Sequence, residues 1–243
     1  MRGIDVSVHN GVIDWNAVKA GGTEFAMIKA TQGKSIYMKP QMYLFCDSRF
    51  KANIAGASAA GIMNGVYHYF TAESVEKAVE EADYFISAIE PFHPQIKLWA
   101  AVDVEEESIF KGFERKRLSE LILAFCERVC SAGFAPMLYT NRNYMRYRLD
   151  MKLLADLDIW QAHWSETKPD DCGEKLKIWQ YGFDSVRGIY GRTDVNIGFW
   201  VPESFYEEQT ARICGFEQCT IDYINKYEYA KELWRKIYNA VGK

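Results

Sequence analysis

The chain has 243 residues, 49% of them hydrophobic and 26% charged, with a formal net charge of −4. That length suits one large domain with a small appendage and permits a sizeable core. A mildly acidic chain offers no electrostatic footprint for nucleic acid or an anionic membrane, and no apolar run reaches the roughly 18 residues expected of a membrane span.

The N-terminus, MRGIDVSVHNG, lacks an apolar stretch of signal-peptide length, so synthesis in the cytoplasm without a recognisable export signal is the expectation. Short β-branched and aromatic runs then alternate with helical periodicity. Strands are predicted over 2–6 (RGIDV) and 25–30 (FAMIKA). A helix is predicted over 40–60, opened by Pro40 and stopped by Gly61. A strand follows over 62–69 (IMNGVYHY), then a helix over 74–90 behind Ser74. After the strand 98–104 (LWAAVDV), Leu118, Leu121, Ile122, Phe125 and Val129 form one stripe of a helix over 115–132 that ends before Gly133. The remaining strands, 134–140, 157–162, 176–181 and 192–197, have little helix between them. Residues 163–176 read as polar loop and 182–191 as turn.

Repeated βα units imply a parallel sheet, and about eight strands in some 200 residues suggest closure into a barrel, with an open doubly wound sheet as the competitor. Residues 203–243 read as two or three helices, the last with a stripe of Ala230, Leu233, Trp234, Ile237, Tyr238 and Val241. A piece near 40 residues rarely folds alone. It is expected to pack on the main domain, residues 1–202, or on another chain. Self-association and a structural brace are two roles open to it.

Six cysteines, Cys46, Cys126, Cys130, Cys172, Cys214 and Cys219, are scattered and form no CxxC pair. Cys126 and Cys130 read as small buried hydrophobes on one helix face. A disulfide between Cys214 and Cys219 stays open. The four histidines lie far apart in sequence, which gives no zinc-binding pattern. QGKS at 32–35 is not a phosphate loop, because Ile28 stands where that motif needs glycine.

The segment LWAAVDVEEESIF, 98–110, breaks from an apolar run into Asp103, Glu105, Glu106 and Glu107. Residues two apart on a strand share a face, so Asp103 and Glu105 project together at its C-terminal end. That end is where the active sites of βα barrels form. Glu106 and Glu107 fall in the following loop, with Glu107 in solvent. Asp5 and Asp194 also lie late in predicted strands, as do Tyr67, Tyr69, Tyr139 and Gln180. Gathering carboxyls raises the pKa of at least one of them. A protonated acid beside an ionised one is what glycosidic cleavage needs.

With these residues in view, the chain resembles the glycoside hydrolase family 25 lysozymes, the N,O-diacetylmuramidases. The segments that carry the likeness are GIDVSVHNGVIDW (3–15), FAMIKATQG (25–33), GVYHYF (65–70), AAVDVEEE (100–107), APMLYT (135–140), DIWQAHW (158–164), IWQYG (178–182) and GRTDVNIGFW (191–200). The resemblance implies an irregular TIM-like α/β barrel of five βα units followed by three β-strands. It implies hydrolysis of the β-1,4 bond between N-acetylmuramic acid and N-acetylglucosamine. It implies Glu105 as proton donor, Asp103 as its partner acid, and Asp5 and Asp194 as the other rim acids. Tyr67, Tyr69, Tyr139, Trp160 and Gln180 are the candidate sugar-binding residues. Neither a metal nor an organic cofactor is implied. The resemblance implies bacterial peptidoglycan as the partner, reached by phage-type lysis or non-standard export, and adds wall attachment to the roles open to residues 203–243. Two other functions compete: a non-catalytic wall-binding module on the same scaffold, and a chitinase-like hydrolase, whose DxxDxDxE signature is absent.

Overall fold

The computed structural model describes residues 1–33, 44–200 and 202–241. In chain order it contains β1 (Arg2–Val6), α1 (Trp15–Ala20), β2 (Phe25–Gln32), β3 (Phe45–Cys46), α2 (Phe50–Ala59), β4 (Met63–Tyr69), α3 (Val75–Ile89), β5 (Ile96–Asp103), α4 (Glu107–Phe110) and α5 (Arg115–Ser131). There follow β6 (Pro136–Asn141), α6 (Arg142–Tyr147), β7 (Asp158–Ala162), β8 (Leu176–Ser185), β9 (Arg192–Gly198), α7 (Pro202–Cys214), α8 (Gln218–Asn225) and α9 (Ala230–Val241).

Eight strands close a barrel in the order β1-β2-β4-β5-β6-β7-β8-β9, with β9 returning to β1. Neighbours are parallel from β1 through β8, whereas β9 runs antiparallel to both β8 and β1. This is the expected arrangement of five βα units followed by three strands. The short β3 sits outside the ring, antiparallel to the end of β2.

Strand alternation divides the apolar residues into two layers. Ile28, Val66, Val102 and Leu138 face outward under the helices and pack with Phe85, Ile122 and Phe125. Met27, Tyr67, Ala101 and Met137 face inward with Trp99, Trp160 and Ile178. Helix starts follow side-chain caps: Asp14 accepts from the Ala17 amide at 3.0 Å, and Ser74 from the Lys77 amide at 3.3 Å. The outer layer also buries His68, which lies 2.7 Å from Thr31 Oγ1 and 2.8 Å from Glu81 Oε2.

Aromatic rings close the barrel floor. Trp200 turns back after β9 and meets Phe25 and Trp99 edge-on, at centroid distances of 4.8 and 5.0 Å. Two glycines make room for this. A Cβ on Gly3 would lie 2.2 Å from the Phe25 ring, and one on Gly198 would lie 2.1 Å from the Trp200 ring. Beneath the rings lie α7 and α9, with Tyr238 in the same apolar cluster and Tyr206 and Ile213 packed against it. Gln209 of α7 donates to Asp158 Oδ2 at 3.0 Å, and Trp99 donates to the same oxygen at 2.9 Å. Of the α9 stripe, Trp234 and Tyr238 are buried.

Three sequence expectations change. The helix predicted over 40–60 begins at Phe50, because Phe45–Cys46 pairs with β2 and Asp47 caps the turn by accepting from the Arg49 amide at 2.8 Å. Pro40 lies outside the described residues. The turn predicted over 182–191 is shorter, because a register shift between Gln180 and Gly182 lets β8 continue to Ser185 against β9. The loop over Glu106 and Glu107 contains a short helix, α4, which Glu106 caps. All six cysteines are free thiols, so Cys214 and Cys219 are not bonded to each other. Among the described residues no helix is long and apolar enough to cross a membrane.

Candidate active site

The C-terminal ends of the parallel strands form the mouth of the barrel. The inward alternation that places Trp99 and Ala101 in the barrel also brings Asp103 inward at the end of β5. Pairing persists one residue beyond the strand: the Val104 amide donates to the Tyr139 carbonyl at 3.0 Å, and Thr140 Oγ1 donates to the Val104 carbonyl at 2.7 Å. The backbone therefore stays extended, Val104 points into the outer core, and Glu105 rejoins the face of Asp103.

Asp103 is 5% exposed, and its Oδ1 is buried without a hydrogen-bond partner. Burial pushes its pKa well above the usual carboxylate range, the charge of Glu105 adds to this, and Lys29 opposes it. Glu105 differs, because its side chain reaches solvent. Protein crowds it on the remaining sides, and that partial desolvation raises its pKa against the pull of Lys29 and a hydrogen bond from Tyr139.

Asp5 lies opposite Asp194 across the β1–β9 pair. Its Oδ2 accepts from Asn196 at 2.7 Å and from Gln180 at 3.0 Å. Burial and then the Asp194 charge outweigh these bonds and push Asp5 up to about 7. Burial also raises Asp194. The four carboxyls expected at the rim thus converge, and each influences at least one other.

Lys29 of β2 is the cation beside them among the described residues. Its Nζ lies 4.9 Å from the Tyr69 ring centroid, and desolvation lowers its pKa while Asp103, Asp47 and Glu105 hold it up. Tyr69 is half-buried and donates to Glu106 at 3.0 Å. Glu106 is thereby engaged with Tyr69 and with the α4 cap. Glu107 is exposed and sits 3.8 Å from Arg148.

The aromatics stack in depth. Trp160 is 1% exposed, lies 4.4 Å from Tyr139 and 5.8 Å from Tyr67 between centroids, and donates to Asn196 at 2.8 Å. It underlies the mouth, while the edges of Tyr67 and Tyr139 come nearer the surface. Gln180 joins three of these groups: its Oε1 accepts from Tyr139 at 3.2 Å and from Trp164 at 3.1 Å, and its Nε2 bonds Asp5. Trp164 is 59% exposed and meets Phe183 edge-on at 5.2 Å.

Three participants escape a search for strand-end acids and tyrosines: Lys29, Asn196 and Trp164. Signals for them exist. Lys29 interrupts an otherwise apolar strand, Asn196 shares a face with Asp194, and Trp164 ends the DIWQAHW segment.

The raised Asp5 gives a pH prediction. A carboxyl raised by folding contributes stability below its unfolded pKa, near 4, and loses it as pH rises through about 7. Asp5→Asn removes the repulsion with Asp194, and the amide oxygen can still accept from Asn196 and Gln180. The variant is expected to exceed wild-type stability at pH 8 by on the order of 2 kcal/mol, with little difference at pH 4. Thermal unfolding at the two pH values checks this.

The profile of the Glycosyl hydrolases family 25 matches residues 4–188. The autolytic lysozyme of Clostridium acetobutylicum is 30% identical over 196 residues, covering 81% of this chain and 55% of that protein. Thus the chain spans about half the length of that relative. Lysozyme M1 of Streptomyces globisporus is 41% identical over 206 residues, covering 81% of this chain and 67% of that protein. The crystal structure of a bacterial lysozyme from Streptomyces coelicolor superposes with a TM-score of 0.69 at 26% identity, covering 84% of this chain and 94% of that one. Fold, closed barrel and sequence agree: the chain belongs to glycosyl hydrolase family 25.

Proposed function

We propose that this protein is a muramidase that cuts the β-1,4 bond between N-acetylmuramic acid and N-acetylglucosamine in bacterial peptidoglycan, with Glu105 as the proton donor. One observation carries the assignment of the donor. Of the four clustered carboxyls, Glu105 is the one that is exposed at the mouth, and its environment favours the protonated form. A general acid must both hold its proton near neutral pH and reach the glycosidic oxygen. Asp103 and Asp5 are too buried to make that reach.

The reaction runs as two displacements at the anomeric carbon. Glu105 gives its proton to the glycosidic oxygen, and the bond from that oxygen to the anomeric carbon breaks. The carbonyl oxygen of the substrate's 2-acetamido group bonds to the anomeric carbon from the opposite face. Asp103, at the end of β5 beside Glu105, orients the acetamido group and stabilises the charge that develops there. Water then attacks the anomeric carbon, Glu105 takes its proton, and the acetamido group is restored. This substrate-assisted route keeps the anomeric configuration. Asp5 and Asp194 supply the other two carboxyls of the rim, and Lys29 offsets the charge of Asp103 and Glu105.

Tyr67, Tyr69, Tyr139 and Trp164 present ring edges or faces to sugars. Trp160 and Gln180 position those rings rather than touch the substrate. In this reading residues 1–202 carry catalysis, and residues 203–243 brace the floor. The site of action is the bacterial cell wall.

The test is digestion of purified Gram-positive peptidoglycan, borohydride reduction, and mass spectrometry of the new ends. Reduced muramic acid ends are expected. Reduced N-acetylglucosamine ends would assign a different bond, and wall binding without new ends would mark a binding module. Glu107→Gln should change the rate by less than about twofold, since an exposed ion pair contributes little. A large loss in the same assay would place Glu107 in the catalytic site.

A further inference from the structure

At the end of β6 a single hydroxyl faces two acceptors. Tyr139 Oη donates to Gln180 Oε1 at 3.2 Å. The same hydroxyl is within bonding reach of Glu105 and favours the ionised form of that carboxyl. A phenol carries one hydrogen, so it serves one acceptor well at a time. Tyr139 is 7% exposed and Gln180 3%, so neither is open to bulk water. Burial, and after it the charges of Glu105, Asp103 and Asp5, hold the Tyr139 pKa well above its ordinary range, and the hydroxyl keeps its proton. Trp160 packs on the ring at 4.4 Å between centroids and holds it in place. The motion left to the group is rotation of the hydroxyl about its C–O bond.

Gln180 is arranged to release that hydrogen at little cost. The Trp164 indole donates to Gln180 Oε1 at 3.1 Å. An indole nitrogen can only donate, so the amide atom between the two rings is the oxygen. The amide nitrogen donates to Asp5 Oδ2 at 3.0 Å, which keeps the amide from turning over. Gln180 Oε1 thus has two donors for its two lone pairs. When Tyr139 turns away the bond from Trp164 remains, and no buried acceptor is stranded. Glu105 has the opposite need. Burial raises its pKa, Lys29 of β2 favours the ionised form, and Asp194 of β9 and the neighbouring Glu106 oppose it. Asp103 and Asp5 also feel its charge. A hydrogen bond from Tyr139 of β6 works in the same direction as Lys29.

We infer that the Tyr139 hydroxyl changes acceptor during the reaction: it donates to Gln180 while Glu105 is protonated and turns to Glu105 as that carboxyl loses its proton. The inference rests on Glu105 as the proton donor. Tyr139 and Gln180 are then positioning residues, which act on the reaction through Glu105. Only hydrogen bonds change in the exchange, and no proton leaves Tyr139. The effect is differential. In the ground state the hydroxyl is satisfied by Gln180, and protonated Glu105 is left to meet the glycosidic oxygen. In the transition state negative charge grows on Glu105, and a donor already within reach meets it. A donor fixed on Glu105 would favour the carboxylate at all times and leave less of the acid form to react. When Glu105 takes a proton from the attacking water, the hydroxyl returns to Gln180.

Titration of Glu105 itself tests this, by NMR of isotope-labelled glutamate carboxyl carbons in the full chain, with the resonance identified by its loss in Glu105→Gln. Tyr139→Phe keeps the ring and removes the hydroxyl, so Glu105 should titrate at higher pH. The basic limb of the kcat/KM profile on soluble muropeptides should move with it, and the maximum should fall about tenfold. Gln180→Met removes the competing acceptor, so the hydroxyl stays on Glu105 and the titration should move to lower pH. Gln180→Met also takes a hydrogen bond from Asp5, and the double variant isolates that side effect. In the Tyr139→Phe background, Gln180→Met should leave the Glu105 titration where Tyr139→Phe placed it. All three variants should unfold near the wild-type temperature. A Glu105 titration that Tyr139→Phe leaves unmoved would overturn the inference. So would an equal shift by Gln180→Met with and without the hydroxyl, since the effect would then run through Asp5. The donor reading fails separately: Glu105→Gln would still cleave muropeptides, while the titration shifts, which need no substrate, would stand.

Discussion

Glu105→Gln is expected to slow the release of reducing ends about a thousandfold, within the range that general acid catalysis supplies. The substitution keeps the shape and removes the transferable proton. Its side chain is exposed at the mouth, so little packing is at stake. The unfolding midpoint should stay near the wild-type value or rise slightly, since the change removes a crowded carboxyl. Binding to the wall should persist. The loss should appear in kcat, because the donated proton acts in the transition state and not in the ground state. Retention of more than about a tenth of the activity would exclude Glu105 as the donor, and Asp194, half-buried at the same rim, would become the next residue to test.

Asp103→Asn should give the second largest loss, about a hundredfold in kcat, the scale on which an electrostatic stabiliser of developing charge contributes. The same variant should be more stable than wild type at pH 8. Burial disfavours the ionised carboxyl, so the stability that its protonated form contributes is present at low pH and lost as pH rises through its elevated folded pKa. An amide has no charge to bury. At pH 4 the two proteins should unfold at similar temperatures. Lower activity joined to higher stability is the signature of a residue kept for function rather than for folding. Equal loss of both would show that Asp103 is a structural ligand of Lys29 and no more. Kinetics on soluble muropeptides with thermal scans at both pH values separate these outcomes.

The legible part of the fold was periodic. The helices at 75–89 and 115–131 match their predicted spans within one or two residues, because apolar stripes and capping residues act locally. The helix over 40–60 was overextended for the converse reason. Pairing of Phe45–Cys46 with Thr31–Gln32 is a tertiary event with no local signature. Extension of β8 past Gln180 likewise depends on its neighbour β9. In the site, acids were legible because charge at the end of an apolar strand is costly and therefore conspicuous. Lys29 is not legible in the same way, because one lysine in a strand is ordinary until its surroundings are known. Trp160 illustrates the opposite error, since sequence marks an aromatic at a strand end without saying how deep it lies. Its indole donates to Asn196 below the opening rather than in it.

The pairing of β1 with β9 governs when the protein becomes competent. Asp5 receives its hydrogen bond from Asn196 across a separation of 191 residues, and from Gln180 across 175. Contacts this distant in sequence form late, since a long loop must close before they repay its entropy. During synthesis the first strand waits, its inward face unmatched, until nearly the whole barrel has left the ribosome. The rim acids therefore meet as a last act of folding. A chain interrupted between β5 and β9 already holds Asp103 and Glu105 but lacks the closed ring that carries Asp5 and Asp194 to the same rim, and so is expected to be inactive.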